Sequence, residues 1–215
     1  MKNKKLIGLM WALALLPAVL VALCWSRLPQ QVPIRWNLDG SVSYSGRMWL
    51  WLLAVIPVVF ALLFQFMPRL DPKRKNYEKF QGLYDFLGPV FSLVFLILMA
   101  ITLTESLRPG AVQVGRVVCA LVSALLIVLG SLMGKLKPSW FIGFRTPWAL
   151  SDPDVWNKTQ RMGGWMFFLT GLITLILALL TPEKVFFTVF FVLLLGGLVL
   201  TTFMSWKWYR EKAAS

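Results

Sequence analysis

The sequence has no histidine and only two cysteines, Cys24 and Cys119, which lie far apart in different apolar segments. Protein metal sites are built largely from clusters of these two residue types, and histidine is the usual general base of enzymes. No paired catalytic constellation of other residues is visible. We therefore expect no metal, no cofactor and no enzymatic activity. A disulfide between the two cysteines is sterically conceivable, but buried free thiols are the expected state.

Charged residues are also scarce, at 14% of the 215 residues, against about 25% in soluble domains. Hydrophobic residues make up 58% of the chain, and the mean hydropathy is +0.71. The net charge of +13 is spread over short segments between apolar runs, which leaves no basic surface large enough for a nucleic-acid duplex. The composition predicts an integral membrane protein that contacts lipid and does not bind nucleic acid directly.

Six apolar runs are long enough to cross a bilayer core of about 30 Å as helices. They cover Leu6–Trp25, Met48–Met67, Leu83–Leu103, Gly115–Met133, Met162–Leu180 and Val185–Met204. The first run exceeds the apolar part of a signal peptide, about 7–15 residues, and is interpreted as an uncleaved span. The predicted fold is all-α: a polytopic membrane protein with six transmembrane helices. Most of the 22 Lys and Arg residues then fall on one side, which predicts that both termini are cytoplasmic.

The segment Ser26–Arg47, between the first two spans, is rich in turn-forming residues. The alternation of Val32, Ile34 and Trp36 predicts a short extended piece with one apolar side. Asn37-Leu38-Asp39-Gly40 has the composition of a tight turn. The segment is either a structured connector or a cap over the bundle that offers a partner-binding surface.

The segment Gly134–Arg161 holds the second group of candidate residues, in the run Phe141-Ile142-Gly143-Phe144-Arg145-Thr146-Pro147-Trp148. Ser151-Asp152-Pro153-Asp154, which follows, predicts a helix start. Two interpretations of Arg145 stay open. It is either a topology charge in a local pair with Asp152 or Asp154, or a binding residue for a partner, a lipid headgroup or an anionic ligand.

Few polar groups lie within or near the spans. Asp85 is the clearest charge there, and it is either functional or reaches water or Lys79. Arg116 begins the fourth span as an interfacial residue. Small residues predict close helix approaches, namely Gly130 and Gly134, Gly164, Gly171, and Gly196-Gly197.

Two motifs resemble known families. Residues Leu28 to Asn37, with Gly40 and Tyr44-Ser45-Gly46, resemble the membrane domain of unknown function DUF1648. Lys137-Pro138 through Trp148, with Asp154-Val155-Trp156 and Gly163-Gly164, resembles the SdpI family. The resemblance divides the chain into a DUF1648-like region 1–80 and an SdpI-like region 81–215, which we expect to form one membrane bundle.

The resemblance implies a bacterial inner-membrane immunity protein that protects a producer cell from a secreted toxic peptide. It further implies a sensor that recruits a cytoplasmic repressor. Family-typical residues map to Pro29, Pro33, Trp36, Gly40, Gly143, Arg145, Thr146, Pro147 and Trp156. The partner-binding candidates are Trp36, Asn37, Gly40, Arg145, Thr146, Pro147, Trp148, Asp154 and Trp156. The family often has histidine near Arg35 and Gln160, so histidine-based pH sensing is excluded in this chain.

The alternative function is a small transporter or channel. In that interpretation Asp85, Gln65 and Arg116 line a path through the bundle. A membrane enzyme is the weakest of the three hypotheses.

Overall fold

The computed structural model of the chain describes residues 2–37 and 41–214. Over these residues it has seven α-helices and one β-hairpin. The elements are α1 (Lys4–Cys24), β1 (Gln31–Trp36), β2 (Val42–Gly46), α2 (Trp49–Leu70), α3 (Gln81–Leu107), α4 (Val114–Met133), α5 (Pro147–Ser151), α6 (Pro153–Leu180) and α7 (Glu183–Ala214). Short 3-10 helices cover Trp25–Arg27 and Arg74–Phe80.

Six of the described helical segments are long and apolar enough to cross a membrane, with mean hydropathy between 2.1 and 2.5. They are Lys4–Arg27, Trp49–Leu70, Arg74–Leu107, Val114–Met133, Pro153–Leu180 and Glu183–Ala213. The predicted six-span membrane fold is confirmed. The helices extend beyond the apolar runs because helical hydrogen bonding continues into polar residues, where hydropathy no longer marks it. The cytoplasmic placement of both termini stays a prediction.

The chain forms two compact units that do not follow chain order. Unit 1 contains Met1–Pro68 and Gln81–Val118, and unit 2 contains Arg69–Phe80 and Cys119–Ser215. The division of the chain at residue 80 is based on sequence motifs and stays a prediction. The expectation that both regions form one membrane bundle also stays a prediction. Cys24, in unit 1, and Cys119, in unit 2, are both free thiols.

In unit 1, α1 packs against α3. Unit 1 contains a buried apolar cluster whose members come from α1, α2, α3, β1 and the connection between α1 and β1: Val21, Leu28, Val32, Leu50, Ala54, Met99 and Leu103. Farther along the helices, the indole Nε1–H of Trp11 donates to Gln65 Oε1 at 2.8 Å. The rings of Phe64 and Tyr84 stack with their centroids 4.3 Å apart.

The β1–β2 hairpin is antiparallel and contains one bulge. Pro33 pairs with Tyr44 and Arg35 pairs with Ser43, so Ile34 is an extra residue without a partner in β2. The predicted alternation is therefore wrong: Val32 is buried with Pro33, whereas Ile34 is 40% exposed. The physical reason is that a bulge inserts one residue into the strand, which reverses the side that each following side chain faces.

In unit 2, α6 packs against α7, and α4 approaches α6 through glycines. A Cβ at Gly130 would lie 2.6 Å from the carbonyl oxygen of Gly164, and a Cβ at Gly171 would lie 2.5 Å from that of Ser123. The predicted close approach is confirmed at these three glycines. For the pair Gly196-Gly197 it holds at one position only: a Cβ at Gly197 would lie 3.2 Å from Met166 Cβ, whereas a Cβ at Gly196 would have no neighbour within 4 Å.

Candidate functional site

The SdpI-like motif lies in the connection between α4 and α6, residues 134–152, which we call the motif loop. The segment Arg74–Phe80 belongs to the same unit. Hydrogen bonds from α6, α7 and residues 71–76 hold this loop in place.

The centre of the motif loop is clamped by a side chain of α6. The fully buried amide of Gln160 accepts from the N–H of Phe144 at 3.0 Å and donates to the carbonyl oxygen of Phe144 at 2.9 Å. The preceding Gly143 has φ +99°, and a Cβ there would lie 2.6 Å from Gln160 Oε1. Both the backbone conformation and the lack of space therefore require glycine.

The predicted residues Thr146 and Pro147 begin α5. The Thr146 hydroxyl accepts from the N–H of Ala149 at 3.1 Å, which caps the helix, and it forms a 2.6 Å hydrogen bond with the Ser205 hydroxyl of α7. Pro147 is the first residue of α5, where its missing N–H costs nothing. At the other end of α5, the Lys73 ammonium donates to the Leu150 carbonyl oxygen at 2.8 Å.

Trp156 is a structural anchor in this site. Its side chain is fully buried, and its indole Nε1–H donates to the Leu136 carbonyl oxygen at 2.9 Å. This hydrogen bond joins α6 to the start of the motif loop. Trp148, by contrast, is only half-buried.

Asp71 was not identified from the sequence. It is 2% exposed, and its carboxylate accepts from the N–H of Lys73 at 2.7 Å, the Tyr77 hydroxyl at 2.9 Å and the N–H of Trp140 at 2.8 Å. The Asp71-Pro72 pair, a composition typical of turns, was the available signal. Its contact with Trp140 spans 69 residues of sequence and could not be derived from a local pattern.

Arg145 has a different partner from the one expected. Its Nη1 donates to the Trp140 carbonyl oxygen at 2.7 Å, and the side chain is otherwise exposed. The proposed pair with Asp152 or Asp154 is wrong, since both aspartates bind the Lys212 ammonium, at 2.8 and 2.6 Å. The reason is tertiary: α7 brings Lys212 to the start of α6.

The start of α6 is built as the sequence predicts. The Asp152 carboxylate accepts from the N–H groups of Asp154 and Val155, at 2.8 and 3.1 Å, and Pro153 is the first helical residue. The hydrogen bond from Lys212, followed by those from the backbone, lowers the pKa of Asp152 below its ordinary value. Asp154 is exposed, and its carboxylate is bound to the Lys212 ammonium.

The β1–β2 hairpin carries the remaining predicted site residues. Trp36 is half-buried, and the Asn37 N–H donates to the Ser41 carbonyl oxygen at 2.9 Å. The Asn37 side-chain amide also donates to the Ser41 hydroxyl, at 2.8 Å. Leu38, Asp39 and Gly40, the other three residues of the predicted tight turn, lie outside the described residues.

Asp85 and Arg116, the polar candidates in the spans, are both in unit 1. Asp85 is 1% exposed, and its carboxylate accepts from the N–H groups of Lys2 and Asn3, at 3.1 and 2.8 Å, and from Gln81 Nε2 at 2.8 Å. These contacts tie the start of α3 to the chain leading into α1. Arg116 lies in the first turn of α4 and is half-buried.

The structure thus gathers Arg145, Thr146, Pro147, Trp148, Asp154 and Trp156 in one unit around the motif loop. Trp36 and Asn37 lie in the other unit, on the hairpin. Over residues 2–37 and 41–214, no group of three or more Cys, Asp or Glu side chains is arranged to hold a metal ion. Chemically, the motif loop is a hydrogen-bonded polar and aromatic surface with one exposed guanidinium, that of Arg145.

Comparisons with known proteins match both motifs. Residues 12–68 match the family model of the domain of unknown function DUF1648, and residues 135–205 match the SdpI/YfhL protein family. A curated relative, the Immunity protein SdpI of Bacillus subtilis strain 168, is 25% identical over 185 residues, which is 86% of each chain. No solved structure matches this chain. This chain is therefore a multi-pass membrane protein in which a region that matches DUF1648, residues 12–68, precedes a region that matches the SdpI/YfhL protein family, residues 135–205.

Proposed function

We propose that this chain is a non-enzymatic immunity protein of the bacterial inner membrane that protects the producing cell from a secreted toxic peptide. The observation that carries the proposal is the similarity to the Bacillus subtilis immunity protein, which extends over 86% of both chains and is therefore long enough to overlap both matched family regions. A likeness confined to apolar spans would support a membrane location but not a shared function.

The β1–β2 hairpin is the proposed contact surface for the peptide, on the side that the charge distribution predicts to be outside. Ile34 and Tyr44 are 40% and 52% exposed. The exposed, cationic Arg35 follows Ile34 in β1 and pairs with Ser43, the residue before Tyr44. The base of the hairpin is fixed, because Val32 and Leu28 are buried in the core of unit 1. A fixed apolar surface binds an amphipathic peptide without an additional cost of ordering the loop.

The motif loop is the proposed docking surface for a cytoplasmic repressor. Trp140 and Phe141 are 50% and 37% exposed, and Arg145 lies next to them in the sequence. Aromatic residues and arginine are the types that contribute most to protein interfaces. A sensor also needs two states with different affinity for the toxin, so this extension requires its own test.

The transporter alternative depends on free polar groups in the spans. The Asp85 carboxylate binds backbone N–H groups, and the Gln65 side-chain oxygen accepts from Trp11. These contacts favour structural roles for the two residues.

The immunity proposal is tested by survival of a toxin-sensitive bacterium that expresses this chain and is challenged with the purified toxin matched to the Bacillus subtilis immunity protein. Membrane insertion is measured in the same cells. We expect protection, and we expect Tyr44→Ser to reduce it while Ser43→Ala, an exposed polar change in the same strand, does not. Absence of protection by a fully inserted protein would reject immunity to that toxin.

Arg145→Lys distinguishes a recognition role of Arg145 from a folding role. Loss of protection by a normally inserted protein would indicate recognition, whereas degradation of the protein would indicate a role in folding. Lysine keeps the charge but loses the planar fork that binds carboxylates in a bidentate manner. Arg74→Lys, at another exposed position of unit 2, is the matched control. The sensor extension predicts that toxin enclosed in the lumen of inside-out vesicles, where it meets the hairpin, changes the rate at which external trypsin cleaves after Arg145. An unchanged rate would reject the sensor extension and leave the immunity proposal standing.

A further inference from the structure

A groove of about 350 Å³ lies between α4 and α6 in unit 2. Gly130, Gly134 and Gly164 form its floor, Trp165 and Phe168 form one wall, and Arg161 completes the lining with Ser131. Small-molecule sites in proteins have volumes of about 300–1,000 Å³, so this groove has the size of a ligand site.

The floor carries no side chains, because its residues are glycines and the backbones of α4 and α6 touch there. A Cβ at Gly130 would lie 2.5 Å from the N of Phe168. At Gly134 there is more room, since the nearest atom to an added Cβ is Arg161 Cγ at 3.5 Å. The aliphatic part of Arg161 therefore lies against Gly134, where the floor ends.

The wall is aromatic and open to the surroundings. Trp165 is 62% exposed, and its ring meets that of Phe168 edge-on with centroids 6.1 Å apart. Arg161 immediately precedes the apolar part of α6, which places its guanidinium where a span leaves the hydrocarbon core. One end of the groove is thus cationic and the rest is apolar.

We propose that this groove binds an anionic phospholipid. The Arg161 guanidinium holds the phosphate, for which its planar donors are suited, and an acyl chain lies along the glycine floor against Trp165 and Phe168. Free phosphate would use only the cationic end. A helix from a second copy of the chain would also cover the exposed Trp165, but it would have to supply an anion for Arg161, which a phospholipid headgroup already carries.

Neighbouring charges add to the attraction for a negative headgroup. Lys135 directly follows Gly134, and Lys158 precedes Arg161 by about one helical turn. Both lysines are exposed and neither lines the groove. They raise the local potential for any anionic lipid, whereas the proposal assigns headgroup contact to Arg161.

The test uses the full chain, purified in detergent, with native mass spectrometry of lipid adducts. The probes are phosphatidylglycerol and phosphatidylcholine with identical acyl chains. We expect Arg161→Gln to lower retention of phosphatidylglycerol about tenfold, as loss of a charge-assisted hydrogen bond does. Lys158→Gln makes the same charge change on the same helix and should have a much smaller effect.

A second variant tests the apolar part of the groove. Ser131→Leu fills the groove from an exposed position, where the hydroxyl donates only to the Val128 carbonyl oxygen of its own helix. It should lower retention of both lipids, with the thermal midpoint unchanged. Equal effects of Arg161→Gln and Lys158→Gln, or no effect of Ser131→Leu, would overturn the proposal. Binding of inorganic phosphate without retention of phosphatidylglycerol, or a dimer of the parent protein that both Arg161→Gln and Ser131→Leu abolish, would also overturn it.

Discussion

The side-chain amide of Gln160 forms two hydrogen bonds with the backbone of Phe144, one to its N–H and one to its carbonyl oxygen, at 3.0 and 2.9 Å. The Gln160 side chain thus pairs with the N–H and the carbonyl oxygen of Phe144, as the backbone of a neighbouring β-strand would. Because Gln160 lies on α6 rather than on the loop itself, the position of the motif loop depends on α6.

Replacing Gln160 with leucine removes both hydrogen bonds and leaves two backbone groups of Phe144 without them. Each unsatisfied buried group costs about 1–3 kcal/mol, so we expect a clear fall in the thermal midpoint of the purified protein. Asn157→Ala, an exposed change on the same helix, should leave the midpoint unchanged. A Gln160→Leu protein as stable as the parent would show that the clamp contributes nothing.

Gly143→Ala should release the motif loop. Alanine at φ +99° is strained by about 1–3 kcal/mol, and its Cβ would lie 2.6 Å from Gln160 Oε1. We expect faster tryptic cleavage after Arg145. The control is Gly82→Ala, where a Cβ has no neighbour within 4 Å. Equal cleavage rates in the two variants would contradict this account of Gly143.

Asp85 is expected to act through its oxygen atoms rather than its charge. Oδ2 accepts from both Lys2 and Asn3, so asparagine can keep these contacts while its amide group faces Gln81, whose own amide can rotate. Amide exchange of residues 2–6 should be fast in Asp85→Ala and near normal in Asp85→Asn. If both variants exchange equally fast, the charge of Asp85 itself is required. That result would favour the transport hypothesis for Asp85.

The Asp152–Lys212 pair predicts a pH dependence at the end of α7. The pKa of Asp152 is lower in the folded protein, so the pair stabilises the fold at neutral pH. This contribution is lost as the pH falls from the ordinary carboxyl pKa of about 3.9 through the lower folded value. A spin label at position 213, in a chain without its native cysteines, should become mobile in this range.

The matched controls for this transition are two lysine variants of α7. Lys212→Gln should make the label mobile already at neutral pH. Lys207 pairs instead with Glu211, at 3.8 Å, so Lys207→Gln should keep the acid transition. A label that responds identically in both variants would show that another group controls the end of α7.

Part of the site could be predicted from residues that lie close together in the sequence. The helix start at Asp152-Pro153 depends on a cap and a proline that act within one turn, and the structure confirms it. The partner of Arg145 could not be predicted in this way. Sequence proximity suggested Asp152 and Asp154, but a lysine 58 residues after Asp154 binds both aspartates. The bulge at Ile34 was missed for a related reason, since its position depends on which residues of β2 are paired.

The sequence by itself determined the six helical spans and the family to which each region corresponds. Apolar runs of bilayer length need no tertiary partner to be recognised, because the hydrocarbon core imposes their length and composition. Only the tertiary structure decided the roles of Asp71, Asp85 and Gln160. Their buried polar atoms bind backbone groups that are distant in the sequence, and a buried polar group takes whichever partner the packing brings within reach.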